Sequence, residues 1–197
     1  MKFCPRCARE LVLRLEGGRE RLACPDRDCG FIHFGDFSIG VGAVVLRDDK
    51  ALLVQRGWNP NRGAWQLPGG YVEHDEEIAL AVEREVFEEV GIEARVHDLI
   101  GFRHAIGGPA GGSTNIYLVF RLDAQSGEPR FDNDEIIGAD FFSFEDMSRL
   151  ERPPQGLSTW AIRLALSLPP AAGFHPDVGT EWFTGRPGYR LFGRRLD

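Results

Sequence analysis

Two hydrophobic rhythms alternate along most of the chain. Ser38–Arg47 (SIGVGAVVLR) alternates apolar and small residues, and Lys50–Arg56 (KALLVQR) answers it across Asp48-Asp49. The pattern predicts a strand, a turn and a returning strand. Gly57–Ala64, which holds Trp58, Asn59, Pro60, Asn61 and Gly63, is a loop by composition. In the stretch Gly70–Ile92 the rhythm changes: Ile78, Val82, Val86 and Val90 recur at helical spacing. Asp75 is the expected N-cap, Glu76 and Glu77 suit the positive helix end, and Gly91 is a natural stop. Strand-like runs return at Glu93–His104, Asn115–Leu122 and Ala139–Phe144, separated by a glycine-rich loop at Gly107–Gly112 and a turn at Ser126–Pro129. Phe144–Leu150 reads as a short helix, and after Pro153-Pro154 the segment Ser158–Leu168 has helical spacing at Trp160, Ile162, Leu164 and Leu166–Leu168. Ahead of all this, Glu10–Leu15 and Arg19–Ala23 predict a hairpin turning at Gly17-Gly18. From Pro169 onward, Phe174, Trp182, Phe183, Tyr189 and Phe192 follow no period. They wrap the core or cover a subunit interface, so a homodimer is compatible with the sequence. No internal repeat is visible.

A length of 197 residues is enough for one substantial core with a small appendage. Hydrophobic residues at 43% and charged residues at 27% describe an ordinary soluble protein. The net charge of −7 argues against bulk attachment to nucleic acid or to an anionic membrane. No apolar run is long enough to span a bilayer, and Met1-Lys2-Phe3-Cys4 lacks signal-peptide character, so a cytoplasmic protein is expected.

In a reducing compartment, cysteines in two close pairs point to metal. Cys4 and Cys7 frame one knuckle and Cys24 and Cys29 the other, with the hairpin between them. Four thiolates suit a tetrahedral structural zinc, which would stabilise a segment too short to build its own core. A redox pair would need a βαβ setting that is absent here. His33, near the end of this segment, is read as a stray polar residue and not as a ligand.

The chemistry concentrates on the 70–92 helix. Glu85, Glu88 and Glu89 fall within one narrow arc, because residues three and four apart are neighbours on a helix surface. Carboxylates that close repel one another, and a hard divalent cation such as Mg²⁺ turns the repulsion into binding. Arg84 beside them can fix a carboxylate through its planar fork. A solvated acidic face is the alternative on these residues alone. The wider pattern, Gly70-x5-Glu76-x7-Arg84-Glu85-Val86-x-Glu88-Glu89-x-Gly91-Ile92, resembles the Nudix box at every defining position, and Ala64–Gly70 (AWQLPGG) resembles its lead-in. The cysteine segment is similar to the N-terminal zinc ribbon of one branch of that family.

The resemblance implies an α/β fold, an α/β/α sandwich on a mixed sheet preceded by a zinc-ribbon hairpin. It divides the chain into a ribbon (1–34), a hydrolase domain (35–168) and a C-terminal tail (169–197). It implies hydrolysis of the pyrophosphate bond in a nucleoside diphosphate linked to another moiety, X, with Mg²⁺ or Mn²⁺ as catalytic metal and a small nucleotide as partner. On that basis Glu85 and Glu89 are metal ligands, Glu88 shares the metal or accepts the proton of the attacking water, and the Gly70 carbonyl completes the shell. Glu76 braces Arg84. Glu135 is the chosen downstream general base, in a region that also holds Asp132 and Asp134. Arg56 and Arg103 are candidate phosphate contacts.

Gly107–Thr114 nearly spells a phosphate loop, but Ser113 stands where lysine is required and a strand follows it. A flexible loop overhanging the site is the better reading. Bacterial NADH pyrophosphatases of this family carry Ser-Gln-Pro-Trp-Pro-Phe-Pro after the box. Here Leu99–Gly107 (LIGFRHAIG) stands instead, which demotes NADH. The ribbon, the box and the acid-to-strand-to-helix order near Asp134–Leu150 resemble ribbon-bearing Nudix proteins related to plant ADP-ribose and FAD pyrophosphatases. Pro109, seventeen residues after Ile92, resembles the proline of ADP-ribose enzymes, so ADP-ribose, FAD or a related dinucleotide is the expected substrate. The rival from another class is a sensor that binds a nucleotide without cleaving it and contacts a partner through the ribbon. Intact Glu85, Glu88 and Glu89 favour the enzyme.

Overall fold

The computed structural model describes residues 1–107, 114–169, 172–176 and 191–194. Most of the Gly107–Gly112 loop, with Pro109, and Trp182, Phe183 and Tyr189 of the tail lie outside the described residues. Two compact units are distinguished: residues 1–37 with Ile106, Gly107 and Thr114, and a larger unit made of the remainder.

The first unit is a hairpin. β1 (Val12–Glu16) pairs antiparallel with β2 (Arg19–Ala23), from Val12↔Ala23 to Glu16↔Arg19. Gly17 and Gly18 turn the chain with φ of 60° and 79°, the left-handed pair that a two-residue hairpin turn demands. Its apolar cluster is small: buried Cys4, Leu11 and Cys24, with Leu22, Cys29 and Phe31 packed beside them, and Ala23 also buried.

The second unit is built on a seven-stranded sheet. β3 (Phe37–Arg47) and β4 (Lys50–Arg56) form the expected hairpin around Asp48 and Asp49, both at positive φ. β7 (Glu93–Ala105) and β8 (Thr114–Ser126) are long antiparallel partners. Asn115 at the start of β8 bonds Ser38 at the start of β3, so those two strands run the same way and the sheet is mixed. β9 (Ile136–Phe142) pairs antiparallel with β4, beginning three residues before the expected strand.

Two strands of this sheet were not expected from the sequence. β5 (Trp65–Gln66) pairs with β4, and β6 (Gly69–Tyr71) pairs with β3 through Gly40↔Tyr71, Val41↔Gly70 and Gly42↔Gly69. They are too short, and too rich in Gly and Pro, to carry an alternation.

Helices cover both faces. α1 (Ile78–Val90) packs Ala81, Val82, Val86 and Val90 against Val41, Ala43, Val45, Leu52, Phe120 and Leu122. On the other side, α2 (Phe144–Met147) and α3 (Leu157–Ser167) bring Met147, Ala161, Ile162 and Ala165 onto Val44, Leu53, Ile100 and Val119. This is the α/β/α sandwich expected.

The start of α1 differs from expectation. Glu77, not Asp75, occupies the N-cap position, and it makes no side-chain cap bond. Residues 73–76 close a turn of their own, because Glu76 accepts the Glu73 N–H at 2.8 Å, and the helix begins after it. Gly91 ends the helix as expected, at φ 68° with its N–H on the Phe87 carbonyl.

α3 is anchored by a buried ion pair. Arg121 donates to both Asp98 oxygens, at 2.9 and 2.5 Å, and to the carbonyls of Ala165, Leu168 and Pro169 at 3.0–3.2 Å. Asp98 also accepts the Gly173 N–H at 3.1 Å. No helix among the described residues is long and apolar enough to cross a membrane.

Candidate functional site

Four separate stretches meet at one cleft of about 470 Å³: Arg56 at the end of β4, Gly69, Gly70 and Tyr71 of β6, Glu85, Glu88 and Glu89 of α1, and Asp132, Glu135 and Ile136 at the entry to β9. Of the site residues expected from sequence, Arg56, Gly70, Glu85, Glu88, Glu89 and Glu135 line it. Arg103 does not. It bonds Asn115 and lies 5.4 Å from the centre of the Tyr117 ring. Tyr71 was not anticipated, since one tyrosine beside a glycine pair leaves no signature.

The glycines let the helix approach the sheet. Gly69 has φ 148°, and a Cβ there would lie 2.1 Å from the Val41 carbonyl oxygen. At Gly70 a Cβ would lie 2.5 Å from the Glu85 carboxylate. A side chain at Gly69 would push β6 off β3, and one at Gly70 would push α1 away from β6. With them absent, the Gly69 N–H reaches Glu89 Oε2 at 3.1 Å.

Arg84 is the hub of the acidic ridge. Its Nε and Nη2 grip Glu76 at 3.0 and 2.7 Å, as expected of a brace. Nη1 adds Glu85 Oε1 at 3.0 Å and Glu88 Oε2 at 2.8 Å, and Nη2 adds the Tyr71 carbonyl. Glu76 is held below the usual carboxylate range by Arg84. Glu85 is pushed upward, chiefly by burial, with Arg84 opposing. Glu89 is pushed up to about 8, first by burial and then by the charges of Glu85 and Glu135, against the Gly69 N–H and Arg56. Arg84 takes one oxygen from each of Glu85 and Glu88, and Gly69 one from Glu89. The second oxygen of each accepts no hydrogen bond among the described residues. Arg56 also lines the cleft, and its buried Nε has no partner there. The ridge oxygens do not converge as tightly as the cysteines do. Among the described residues, only the cysteine cluster brings three or more donor atoms within 4.8 Å of one another. Like charges part, and Arg84 sits between Glu85 and Glu88.

In the first unit, Cys4, Cys7, Cys24 and Cys29 present all four sulfurs within that distance. Cys4 Sγ lies 3.7 Å from Cys29, and Cys7 Sγ lies 3.4 Å from Cys24. A disulfide requires about 2.05 Å. Burial pushes the Cys24 thiol up to about 12, while the backbone N–H of Arg9 draws Cys7 down to about 7. His33 sits 3.7 Å from Asp36 and is outside the cluster.

Comparison with known proteins agrees with this geometry. The ADP-ribose pyrophosphatase of Methanocaldococcus jannaschii is 34% identical over 113 residues, 57% of this chain and 66% of that protein. The NAD-capped RNA hydrolase NudC of Haemophilus influenzae is 30% identical over 170 residues, 85% of this chain and 61% of that protein. A crystal structure of a NUDIX hydrolase from Nitrosomonas europaea shares the fold, with a TM-score of 0.64 at 24% identity over 84% of this chain and 90% of that one. The chain spans from 38% to 66% of the length of the curated relatives it matches. A family model described as the NUDIX domain matches residues 36–161, well over half of the sequence, and the chain belongs to the Nudix family.

Proposed function

We propose that this chain hydrolyses the pyrophosphate bond of a nucleoside diphosphate linked to X, with ADP-ribose, FAD or a related dinucleotide as substrate, in a reaction that depends on Mg²⁺ or Mn²⁺. The observation that carries the reading is the meeting of Arg56, Gly70, Glu85, Glu88, Glu89 and Glu135 in one cleft. The donor set fits a hard divalent ion: carboxylate oxygens left free by Arg84 and Gly69, in the cleft that Gly70 also lines. Such an ion, when bound, neutralises diphosphate charge and lowers the pKa of water. Glu85 and Glu89, with the Gly70 carbonyl, would hold it. Glu88, the most exposed of the three, shares it or takes the proton of the attacking water. Arg84 keeps Glu85 and Glu88 from swinging away. The unpartnered Arg56 Nε is a donor for a phosphate oxygen. Glu135 lines the same cleft, its charge acts on Glu89, and it is the acid–base candidate there.

ADP-ribose takes first place because a relative named for that activity aligns with this domain. The relative named for NAD-capped RNA keeps a nicotinamide dinucleotide in the test. A panel of ADP-ribose, FAD, NADH, dinucleoside polyphosphates and oxidised nucleotides, with Mg²⁺ or Mn²⁺, is scored by products. ADP-ribose is expected to give AMP and ribose 5-phosphate. Failure to cleave any pyrophosphate in the panel overturns the reading.

The cysteine cluster is assigned to structural Zn²⁺. Tetrahedral Zn–S bonds of about 2.3 Å place sulfurs about 3.8 Å apart, close to the separations of 3.4 and 3.7 Å. Four unbridged thiols also fit a reducing, cytoplasmic setting. Cys24→Ser is expected to release the zinc and lower the melting temperature, because the unit's apolar interior is so small. Metal analysis beside a thermal melt checks this. Unchanged zinc and an unchanged melt would refute the assignment.

A further inference from the structure

The loop after β4 and the turn before β9 are fastened together by residues outside the acidic ridge. Gly57 donates its N–H to the Glu135 carbonyl at 2.7 Å, and a Cβ on Gly57 would lie 1.8 Å from the Asp134 carbonyl oxygen. Only a glycine admits that approach. Next to it, the Trp58 indole N–H donates to Asp134 Oδ1 at 3.0 Å, a charge-assisted bond. The turn is stiff in itself. Asp132 Oδ1 accepts the N–H groups of Asp134 and Ile136 at 2.9 and 3.1 Å, and the Asn133 N–H returns to the Ile136 carbonyl.

Trp58 is 46% exposed, so the indole contributes little to a core; its specific contact is with Asp134. What it fastens lies at the cleft on both sides. Arg56 immediately precedes Gly57, Glu135 immediately follows Asp134, and both line the cleft. The β4–β9 ladder ends at Arg56↔Ile136, and beyond it the Gly57 N–H and the Trp58 indole hold the loop to the turn.

We propose that Trp58 and Asp134 are positioning residues, a latch that fixes the Glu135 carboxylate relative to Arg56 and the acidic ridge. The latch rests on the reading of Glu135 as the acid–base group. It acts through geometry, because a misplacement of about 1 Å costs about 10²-fold in rate. Arg56, the proposed phosphate contact, is held by its own pairing with Ile136 in the β4–β9 ladder, so the effect of the latch falls on kcat.

The test uses the full chain with Mg²⁺ and ADP-ribose. Trp58→Phe removes the donor and keeps a flat ring. Asp134→Ala removes the acceptor, and Asp134→Asn restores an acceptor oxygen. Each of the first two is expected to lower kcat about tenfold or more with KM within about twofold. The double variant should be no worse than the poorer single, and Asp134→Asn should recover most of the loss. Glu135→Gln separates the two readings. If it lowers kcat while Trp58→Phe and Asp134→Ala do not, or if their effects multiply in the double variant, the latch is overturned. If Glu135→Gln leaves kcat intact, the acid–base reading fails and takes the latch with it. Hydrogen–deuterium exchange gives a measure independent of turnover: the Gly57 amide, which bridges the loop to the Glu135 carbonyl, is expected to exchange faster in Trp58→Phe, and unchanged protection there rejects the proposal.

Discussion

Glu89→Gln is expected to lower Mg²⁺-dependent hydrolysis by about 10²-fold or more, yet to raise the melting temperature of the metal-free protein at alkaline pH. The first effect follows from the proposed role of Glu89 as an anionic metal ligand, which glutamine replaces with a neutral one. The second follows from the carboxyl being pushed up from 4.5 to about 8, chiefly by burial. Between those values the folded protein holds a proton that the unfolded chain has released. Stability therefore falls as pH rises through that window, and the penalty is complete above about pH 8. Glutamine does not ionise and still accepts the Gly69 N–H, so it escapes the penalty. Melts without metal should nearly coincide at about pH 4 and diverge in favour of the variant by about pH 9. Undiminished turnover would remove Glu89 from the ligand set. A variant that melts lower at every pH would contradict the burial argument.

Asp98→Ala is the largest expected loss of stability. Asp98 is fully buried and the Arg121 side chain is 6% exposed, so deletion of the carboxylate strands a guanidinium charge among carbonyls. Breaking such a pair costs about 3–5 kcal/mol. For a chain of this size that corresponds to a fall of about 6–20 °C in melting temperature. The same change frees the Gly173 N–H and loosens the segment after α3. Replacing both partners, as Asp98→Leu with Arg121→Met, should cost less than the single change, because no charge is left behind. Differential scanning calorimetry of the three variants decides it. A single variant melting within about 2 °C of the parent would show that the pair contributes little.

The features legible in the sequence are those that neighbouring residues settle between themselves. Gly17-Gly18 and Asp48-Asp49 specify hairpin turns because their local backbone favours positive φ. The stripe from Ile78 to Val90 specifies a helix and its inner face, and the same 3.6-residue geometry puts Glu85, Glu88 and Glu89 on one ridge. Gly91 ends the helix for a reason internal to the turn it closes. The paired cysteines likewise announce their knuckles by spacing, and their sulfurs come together as expected.

Tertiary structure decided whatever depends on distant segments. β5 and β6 exist because β4 and β3 offer them partners, not because Trp65-Gln66 or Gly69–Tyr71 favour extended backbone. The helix starts at Ile78 because Glu76, committed to Arg84 and the Glu73 N–H, belongs to the turn before it. Arg121 looks like a charge misplaced in an apolar strand until Asp98, from the neighbouring strand, faces it. Arg56 and Arg103 are alike as single basic residues ending strand-like runs, yet only Arg56 reaches the cleft, since which strand ends open there is a property of the sheet. Periodicity and turn chemistry act over a few residues. The pairing of strands and the burial of charge act across the whole sheet, and a linear sequence does not display them.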